Sequence, residues 1–541
     1  MNYNKLIKNY ILKSKLTKLF FKIIRYYFND LVNFKIINEI KSDEKIVIFT
    51  SIGDHTYYAK YDRYLERSFN LLGFEVIIVL CNTNLDICQE FNYNFSNRDK
   101  ISDSFKNLYC NFCKKNSEKN FKNSKIEYLG NVDDSQYLNL KSLFMEHLNK
   151  YDSIENFFYN GINFGEHINS GLVRYYGGSI FEKNDIYYQN LYKFANASFK
   201  TYFSTLKILK KYKIKLSMLH HGIYVPQGVV CDVLKKNNVN FYTYGMSYRK
   251  NTFFYAYKDT YHKRFLDLNE WDKFNFGKKE LRILHRYFKK KIISNQDWID
   301  FTSNNNLKKF NKIQEITSYY TKENTYVMYT NVDWDAQVHF KNNVFKSMHE
   351  WIERTIDYFE TNKDKLLIIR IHPAEIYGNV KSRTSLAEHI QNYKKIKNLI
   401  IIKAKENINS YSLMKLSNKF LVYSSKIAIE LLFFNKKVLV AGEAFVRGKG
   451  FTLDTNNEKE YTKDLEKLKY FNLTKYQKIL SKKFIYFFFF KLMVDNNFLI
   501  KGSILKHPYY AKQFNLSDLK NDKNYFNAIK SMLASEKIIS N

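Results

Sequence analysis

Short apolar runs alternate with amphipathic helical segments in this chain, and the alternation occurs in two separate series. The first series starts at residue 45 and contains the runs KIVIFTS, FEVIIVLC, KLSMLHHG and VNFYTYG. The second starts at residue 325 and contains TYVMYTNV, KLLIIRIHP, NLIIIK, KFLVYSS and KKVLVAG. Apolar strands separated by amphipathic helices are typical of parallel α/β sheets. The sequence therefore predicts the α/β fold class, with two doubly wound, Rossmann-like domains facing a cleft.

The stretches between and around the two series predict five segments. We expect a basic amphipathic helix over 1–40, a first Rossmann-like domain over 41–257, a mainly helical connection over 258–322, a second Rossmann-like domain over 323–475 and a helical C-terminal segment over 476–541. The C-terminal segment includes the apolar run FIYFFFFKLM. That run is too short to span a bilayer, so we expect a buried or interfacial helix.

The chain has 541 residues and a formal net charge of +34, which favours an anionic partner. Lys, Asn, Ile, Tyr and Phe are abundant together, as expected of a very AT-rich genome, so part of this charge is lysine on solvated faces. Charge alone leaves open a phosphorylated substrate, an acidic lipid surface or nucleic acid. Because the sequence has no RNP-like aromatic motif and no zinc-finger spacing, we do not expect nucleic acid as the partner.

The N-terminus predicts contact with an anionic membrane surface. Seven Lys or Arg residues precede Tyr26, no acid occurs before Asp30, and apolar residues between them recur at helical spacing. A basic amphipathic helix of this kind lies on anionic lipid, although packing against its own domain is the alternative. The sequence shows no secretory signal and no uncharged apolar run of ~18 residues. With only five cysteines, we expect a cytoplasmic protein, peripheral on the inner membrane.

Polar side chains follow the strands of the second series. The candidates are Asn331, Asp333, Asp335, Arg370, His372, Ser424 and Ser425. Ligands of such sheets bind at the carboxyl ends of the strands. Ser424 and Ser425 stand where a helix begins, so they present hydroxyls and backbone N–H groups to an anion, or they are an ordinary helix cap. We expect a structural or donor-side role for the two aspartates rather than a metal site.

Two further features of the second series suit a charged ligand. Glu430 is the only acid in the apolar helix AIELLFF, and its side chain leans toward the start of that helix. The loop after the last strand places Arg447 and Lys449 among glycines. Glycine lets backbone N–H groups converge on a phosphate, and the cations add charge, although a surface turn would show the same pattern.

Four cysteines predict either a structural zinc site or a set of buried thiols. Cys81, Cys88, Cys110 and Cys113 follow the pattern C-x6-C-x21-C-x2-C. The second pair has the spacing of a metal knuckle, whereas the first pair is loosely spaced. Buried free thiols are the alternative.

Several of these segments resemble one bacterial family. RIHPAE, SYSLM, YSSKIAIELL and VLVAGEAFVRGKGFTLD are similar to the capsule polysaccharide biosynthesis glycosyltransferases, the group that includes Kdo-linker transferases. HHGIYVPQGVV, TNVDWDAQ and GEHINSGLVRY resemble segments of its longer members. The resemblance covers about 45–500 and implies a GT-B fold, with the donor bound mainly by the C-terminal domain and the acceptor on the side of the N-terminal one.

The resemblance also implies roles for individual residues. In similar cytidine-nucleotide sugar transferases a His-Pro histidine and paired serines hold the donor phosphate, which implies phosphate contacts for His372, Ser424 and Ser425. It implies a ribose contact for Glu430, and it lets Arg447 and Lys449 close over the charged end of the donor, with Arg370 in the same site. No metal or other cofactor is implied for catalysis.

Transfer with inversion needs a base near the acceptor hydroxyl. The candidates in the first domain are Asp54, Glu166 and His221, which the sequence does not rank. Pro226 and Pro373 are two of only three prolines, and each fixes a loop that presents a histidine, His221 or His372.

We therefore expect a capsule or surface-glycan glycosyltransferase that uses a nucleotide-sugar donor, with a CMP-sugar such as CMP-Kdo favoured. Its acceptor is expected to be lipid-linked or an oligosaccharide. The alternatives are a CDP-polyol phosphotransferase of surface polymer synthesis and a non-catalytic capsule assembly protein.

Overall fold

The computed structural model describes residues 23, 40–55, 57–88, 102–132, 135–179, 182–266, 268–293, 297, 307–335, 342–377, 382, 385–496, 499–501, 509–511 and 514–540. The helix predicted over 1–40 falls outside these residues except at its positions 23 and 40. Its contact with a membrane stays a prediction.

The first lobe, residues 40–257, is built on apolar strands with helices between them. The strands are β1 (Lys45–Ser51), β2 (Val76–Cys81), β3 (Lys125–Leu129), β4 (Phe158–Tyr159), β5 (Ile162–Asn163), β6 (Ile214–His220), β7 (Phe241–Met246) and β8 (Thr252–Tyr257). The helices are α1 (Tyr58–Leu71), α2 (Asp103–Asn120), α3 (Ser135–Tyr151), α4 (Phe164–Tyr176), α5 (Asp185–Lys211) and α6 (Gln227–Lys236). Strands β4 and β5 form a separate hairpin.

A helical connection leads to the second lobe, residues 323–475. The connection contains α7 (Tyr261–Leu266), α8 (Lys278–Ile293) and α9 (Leu307–Ser318). The strands of the second lobe are β9 (Thr325–Tyr329), β10 (Leu366–Arg370), β11 (Leu399–Ile402), β12 (Lys419–Val422), β13 (Lys437–Val440) and β14 (Leu453–Asp454). Its helices are α10 (Met348–Thr361), α11 (Ala374–Tyr377), α12 (Leu386–His389), α13 (Ser410–Leu413), α14 (Ile427–Phe433) and α15 (Glu458–Lys467).

The C-terminal segment runs from the second lobe back to the first. Helix α16 (Lys475–Tyr486) continues into a π-helical turn, Phe487–Lys491, and the strand β15 (Val494–Asp495) then pairs antiparallel with β8. Further elements are β16 (Leu499–Lys501), β17 (Tyr509–Ala511), α17 (Leu516–Asn521) and α18 (Lys523–Leu533). Tyr525, Ile529 and Met532 of α18 lie in the core of the first lobe. The segment predicted to be helical over 476–541 therefore also contains strands, one of which extends the first sheet.

The apolar run FIYFFFFKLM is largely buried, as one of its two predicted alternatives requires. Phe484, Phe488 and Phe489 have no exposed surface, and they pack into the core shared by the second lobe and α8. Within the described ranges, no helix is long and apolar enough to cross a bilayer.

Strand order confirms the predicted α/β fold class with two doubly wound halves. The first sheet has the order β15-β8-β7-β6-β1-β2-β3, and the second has β11-β10-β9-β12-β13-β14. All pairs of the second sheet are parallel, and in the first sheet only the pairs made by β8 are antiparallel. The chain reverses its direction across the sheet between β1 and β6, and again between β9 and β12. These two switch points are where such sheets bind ligands.

A buried carboxyl group beneath the first switch point makes stability depend on pH. Asp62 of α1 is 1% exposed and accepts a hydrogen bond from the hydroxyl of Tyr244. Burial raises the pKa of Asp62 from 3.8 to about 7, against the opposing effect of its hydrogen bonds. Between these values the folded protein binds more protons than the unfolded chain, so this group lowers stability as the pH rises.

We expect Asp62→Asn to raise the unfolding temperature at pH 8, with the gain shrinking as the pH falls from 7 to 4. Parallel thermal unfolding curves of variant and parent measure it. The exposed Asp364→Asn is the matched control and should follow the parent at every pH. If the unfolding temperatures of Asp62→Asn and the parent changed with pH in the same way, the raised pKa of Asp62 would be contradicted.

Candidate active site between the lobes

Three loops of the second lobe meet at its switch point, because β9 lies between β10 and β12. The backbone N–H of His372, after β10, donates to Thr330 Oγ1 at 3.0 Å. The backbone N–H of Ser424, after β12, donates to Asn331 Oδ1 at 3.2 Å. Thr330 and Asn331 both follow β9, so hydrogen bonds join all three loops. The structure thus brings His372, Asn331 and Ser424 together, as their positions in the sequence predict.

The ring of His372 is held as a neutral hydrogen-bond donor. The backbone N–H of Ala374 donates to its Nδ1 at 3.0 Å, which leaves the ring proton on Nε2. Burial, together with the positive charge of Arg370, lowers the pKa of His372 to about 4. A neutral imidazole that presents Nε2–H suits an anionic ligand without carrying a buried charge of its own.

The other donor-side candidates near the switch point differ in their exposure. Ser425 is partly exposed, and its Oγ accepts a long hydrogen bond of 3.5 Å from the backbone N–H of Ile427. Arg370 is 3% exposed, and its Nη1 donates to the backbone carbonyl of Lys403 at 2.8 Å. Arg370 therefore acts on the site mainly through its charge on the neighbouring His372.

Glu430 belongs to a buried cluster of four charges. Its Oε1 lies 2.7 Å from Lys426 Nζ and 3.1 Å from Lys291 Nζ, and Tyr411 donates to its Oε2. The carboxylate of Asp297 pairs with the same two lysines, at 3.0 Å and 2.6 Å. Burial opposes the charged form of Glu430, but the two lysines outweigh it and lower its pKa. The ribose contact of Glu430 stays a prediction. The structure shows that its carboxylate pairs with Lys291 and Lys426.

The cations of the glycine-rich loop, residues 442–452, already have partners in the second lobe and in α16. Arg447 donates to three backbone carbonyls, those of Val440 at 3.3 Å, Gly442 at 3.5 Å and Thr455 at 2.5 Å. Lys449 Nζ lies 5.5 Å from the centre of the Phe484 ring. The backbone N–H of Gly448 also donates to Asp454 at 2.8 Å. The loop is thus anchored to β13, β14 and α16, and phosphate binding by its two cations stays a prediction.

Histidines gather at the switch point of the first lobe. His55 follows β1, and its Nδ1 accepts the backbone N–H groups of Tyr57 and Tyr58 at 3.2 Å each. The Tyr58 ring lies 3.4 Å, between centroids, from His220 at the end of β6. Burial, assisted by the positive charges of His221, His55 and Arg174, lowers the pKa of His220 well below its ordinary value. His220 therefore stays neutral beside the Tyr58 ring at this end of the sheet.

The three candidate bases occupy different positions. His221 is partly exposed after β6, and its Nε2 lies 3.3 Å from the hydroxyl of Tyr261. Asp54 follows β1 at the same switch point and is 3% exposed. Glu166 lies in the first turn of α4, just after the separate β4–β5 hairpin, and its carboxylate is 3.6 Å from Lys263 Nζ. The structure brings Asp54 and His221 to the same edge of the sheet and places Glu166 on a helix.

Arg174 of the first lobe is bound directly to the second lobe. Its guanidinium lies 4.4 Å from the Tyr224 ring and 5.1 Å from the Trp334 ring. Its Nη1 is 3.6 Å from Asp335 Oδ1, to which the Tyr224 hydroxyl donates at 3.2 Å. The negative charge of Asp335 also acts on His372 and partly opposes the lowering of its pKa. Asp335 therefore lies between His372 and the loop that carries His221 and Tyr224.

A second contact joins the lobes at Asp333. Its carboxylate accepts the backbone N–H and the hydroxyl of Ser179 at 2.9 Å and 3.0 Å, and His349 Nε2 lies 3.1 Å from it. The two aspartates that follow β9 thus both bind the first lobe. This agrees with the structural role expected for them.

Sequence reasoning did not single out Arg174, Tyr224 or Tyr261. One signal for Arg174 was present, because it is the only charged residue in the run INSGLVRYYGG. A charge in an otherwise apolar helix face needs a partner when it is buried. Here the partners are Tyr224 and Asp335.

The cysteines are not gathered into a metal site in the structure. In the part of the chain that the structure describes, which includes all four candidates, no group of three or more His, Cys, Asp or Glu side chains is placed to hold a metal ion. Cys81 ends β2, and burial raises the pKa of its thiol, which is unfavourable for a metal-binding thiolate. Cys88 and Cys110 instead pack with Tyr109. All four thiols are partly buried, and a structural zinc site stays a prediction.

Comparison with known proteins identifies the part of the chain that holds the donor-side candidates. Residues 283–489 match the family model described as capsule polysaccharide biosynthesis protein. The match agrees with the resemblance inferred from the sequence motifs and confirms it over these residues. The comparison with curated proteins finds no match.

Similar solved structures include Thermosulfurimonas dismutans KpsC, a beta Kdo 2,4 transferase, with 10% identity over 59% of this chain and 88% of that one and a TM-score of 0.32. A second KpsC structure from the same organism, a beta Kdo 2,7 transferase, has 13% identity over 60% and 90%, with a TM-score of 0.30. The S. aureus MnaA–UDP structure has 11% identity over 91% and 98%, with a TM-score of 0.29.

The matched residues extend from within α8 through the second lobe to the π-helical turn after α16. The buried charge cluster lies within it, because Lys291 and Asp297 come from the connection and Lys426 and Glu430 from α14 and the residue before it. The three candidate bases of the first lobe lie outside the matched residues.

Proposed function

We propose that the protein is a glycosyltransferase of capsule or related surface-polysaccharide synthesis. It moves a sugar from a nucleotide donor, with a CMP-sugar such as CMP-Kdo favoured, to a lipid-linked or oligosaccharide acceptor. The reaction takes place at the cytoplasmic face of an anionic membrane. The donor lies on the second lobe and the acceptor on the first.

The observation that carries this proposal is that the two switch points face a common junction. Asp335 follows β9 at the second switch point, and it is bound by Arg174 and Tyr224 of the first lobe. Tyr224 lies 5.8 Å, between ring centroids, from His221 at the first switch point. Two ligand-binding edges that meet in this way suit a reaction between two substrates.

On the donor side, His372 and Ser425 hold the phosphate. The Nε2–H of the neutral His372 donates to a phosphate oxygen, and Ser425 adds its hydroxyl. Charge that develops on the leaving phosphate is stabilised by donors fixed in place before the reaction, which is the most effective form of such stabilisation. Arg447 and Lys449 supply additional positive charge when the loop 442–452 exchanges its present partners for the donor.

On the acceptor side, we favour His221 as the base among the three candidates. It is partly exposed, whereas Asp54 is 3% exposed and Glu166 is paired with Lys263. The Tyr261 hydroxyl, 3.3 Å from Nε2, orients the ring. A positioned imidazole removes the proton of an acceptor hydroxyl as the bond to the sugar forms.

Thermal unfolding with CMP, CDP, UDP and GDP tests the donor assignment. We expect CMP to raise the unfolding temperature most, because the proposed donor is a CMP-sugar. A nucleotide at 100 times its Kd stabilises the folded state by about 2.7 kcal/mol. Mass analysis of the acceptor after turnover then identifies the transferred group, because an acidic sugar and a polyol phosphate add different masses. A folded protein that none of the four nucleotides stabilises would contradict the proposal.

A further inference from the structure

The outward face of α16 combines lysines with large apolar side chains. Tyr476 is 68% exposed and Ile479 is 51% exposed, and their spacing of three residues puts them on one side of the helix. Lys475 and Lys478 are exposed beside them. We call these four residues, with the partly exposed Lys482, the α16 face. From Lys467 to Val494 the sequence has seven lysines and neither Asp nor Glu.

The α16 face is held rigidly by the opposite side of the helix. Ser481, Phe484 and Ile485 are fully buried there, and the helix packs against α14 and α8. Thr474 and Gln477 form a capping box at its start. Gln477 Nε2 also donates to the carbonyl of Gly450 at 3.1 Å, which joins α16 to the glycine-rich loop. The exposed side chains therefore project from a fixed surface.

We infer that the α16 face docks the protein on an anionic lipid bilayer. Lysines are attracted to anionic headgroups, and tyrosine rings favour the boundary between headgroups and acyl chains. Ile479 adds apolar area that only the acyl boundary buries, which favours lipid over a soluble, hydrated polyanion. Apolar residues flanked by lysines on one helix side are the pattern of an interfacial helix.

Helix α16 lies close to the donor side of the proposed site. Helix α14, which starts just after Ser424 and Ser425, packs on α16, and packed helix axes lie about 8–10 Å apart. Docking would therefore bring the donor side of the cleft close to the lipid surface, where a lipid-linked acceptor resides. Only this consequence rests on the proposed function, because the docking itself follows from the exposed residues.

Co-sedimentation of the full chain with phosphatidylglycerol–phosphatidylcholine vesicles tests the inference without any turnover. We expect Lys475→Glu/Lys478→Glu to weaken vesicle binding by at least about 30-fold, because each lysine lost contributes a factor of about five and the new carboxylates are repelled by the anionic surface. Tyr476→Ser/Ile479→Ser leaves the charge unchanged and should weaken binding about tenfold by removing the apolar contact.

Lys322→Glu/Lys363→Glu is the matched control, with the same change in charge at exposed positions before β9 and β10. It should bind vesicles like the parent, and unchanged unfolding temperatures establish that all the variants fold. Parent-like vesicle binding by Lys475→Glu/Lys478→Glu would overturn the inference. A loss of heparin binding in that variant, with vesicle binding retained, would assign the face to a soluble polyanion and would also overturn it. Nucleotide binding is measured separately, so failure of the docking and failure of the donor assignment are distinguishable.

Discussion

Glu430→Gln is expected to lower the free energy of unfolding of the second lobe by about 3–5 kcal/mol, the usual effect of removing one partner from a buried ion pair. Glu430 is 3% exposed and neutralises part of the charge of Lys291 and Lys426. The substitution keeps the size of the side chain and leaves the buried Lys291 and the partly exposed Lys426 with only Asp297. Chemical unfolding monitored by tryptophan fluorescence measures the loss.

Two further variants separate charge from packing in that experiment. Asp103→Asn breaks an exposed ion pair with Lys106 and should cost less than about 1 kcal/mol. Adding Lys291→Met to Glu430→Gln restores one lysine to one carboxylate, so part of the lost stability should return. If Glu430→Gln costs no more than Asp103→Asn, the cluster does not stabilise the lobe through its charges.

His372→Ala is expected to lower kcat of the proposed transfer by about 10²–10³-fold, which is the usual effect of removing a fixed donor from a developing negative charge. The alanine variant keeps the loop, because the hydrogen bond to Thr330 comes from the backbone of residue 372. His372→Gln places an amide N–H near the position of Nε2 and should recover part of the rate. Initial rates at saturating acceptor, with donor varied, measure both effects.

The control for His372 is His389→Ala. His389 lies on α12 of the same lobe and pairs with Glu353 at 2.7 Å through Nε2. Its removal should leave the rate within about threefold, since exposed pairs contribute at most ~1 kcal/mol. A His372→Ala enzyme with the parent's rate and nucleotide affinity would remove His372 from the site and favour a non-catalytic assembly protein.

The grouping of the donor-side candidates is predictable from sequence because it depends on local order along the chain. A buried strand followed by a polar residue defines a strand end, and the order of the strands in a doubly wound sheet brings those ends together. The sequence therefore predicts that Asn331, His372 and Ser424 lie together at the strand ends, as they do in the structure. The role of Arg174 is not predictable in this way, because Arg174 lies on a helix and its partner Asp335 is 161 residues further along the chain.

Local pattern does not reveal the tertiary partners of a residue. Glycines around Arg447 and Lys449 predict a cationic loop, but not the carbonyls of Val440 and Thr455 or the ring of Phe484 that these cations contact. The sequence places Glu430 near the start of its helix but does not reveal its partner Lys291, which comes from a helix about 140 residues earlier. Cation and carboxylate identities were visible in the sequence, but their pairing was not.

The return of the chain to the first sheet limits how the cleft opens. The polypeptide crosses between the lobes through 258–322 and again after Lys491, where β15 adds to the edge of β8. With two covalent crossings, we expect the lobes to rotate about the line that joins the crossings rather than to slide apart. A chain truncated before Val494 would lose this second tether, leave β8 as a bare sheet edge open to intermolecular pairing, and give a wider, less defined hinge motion.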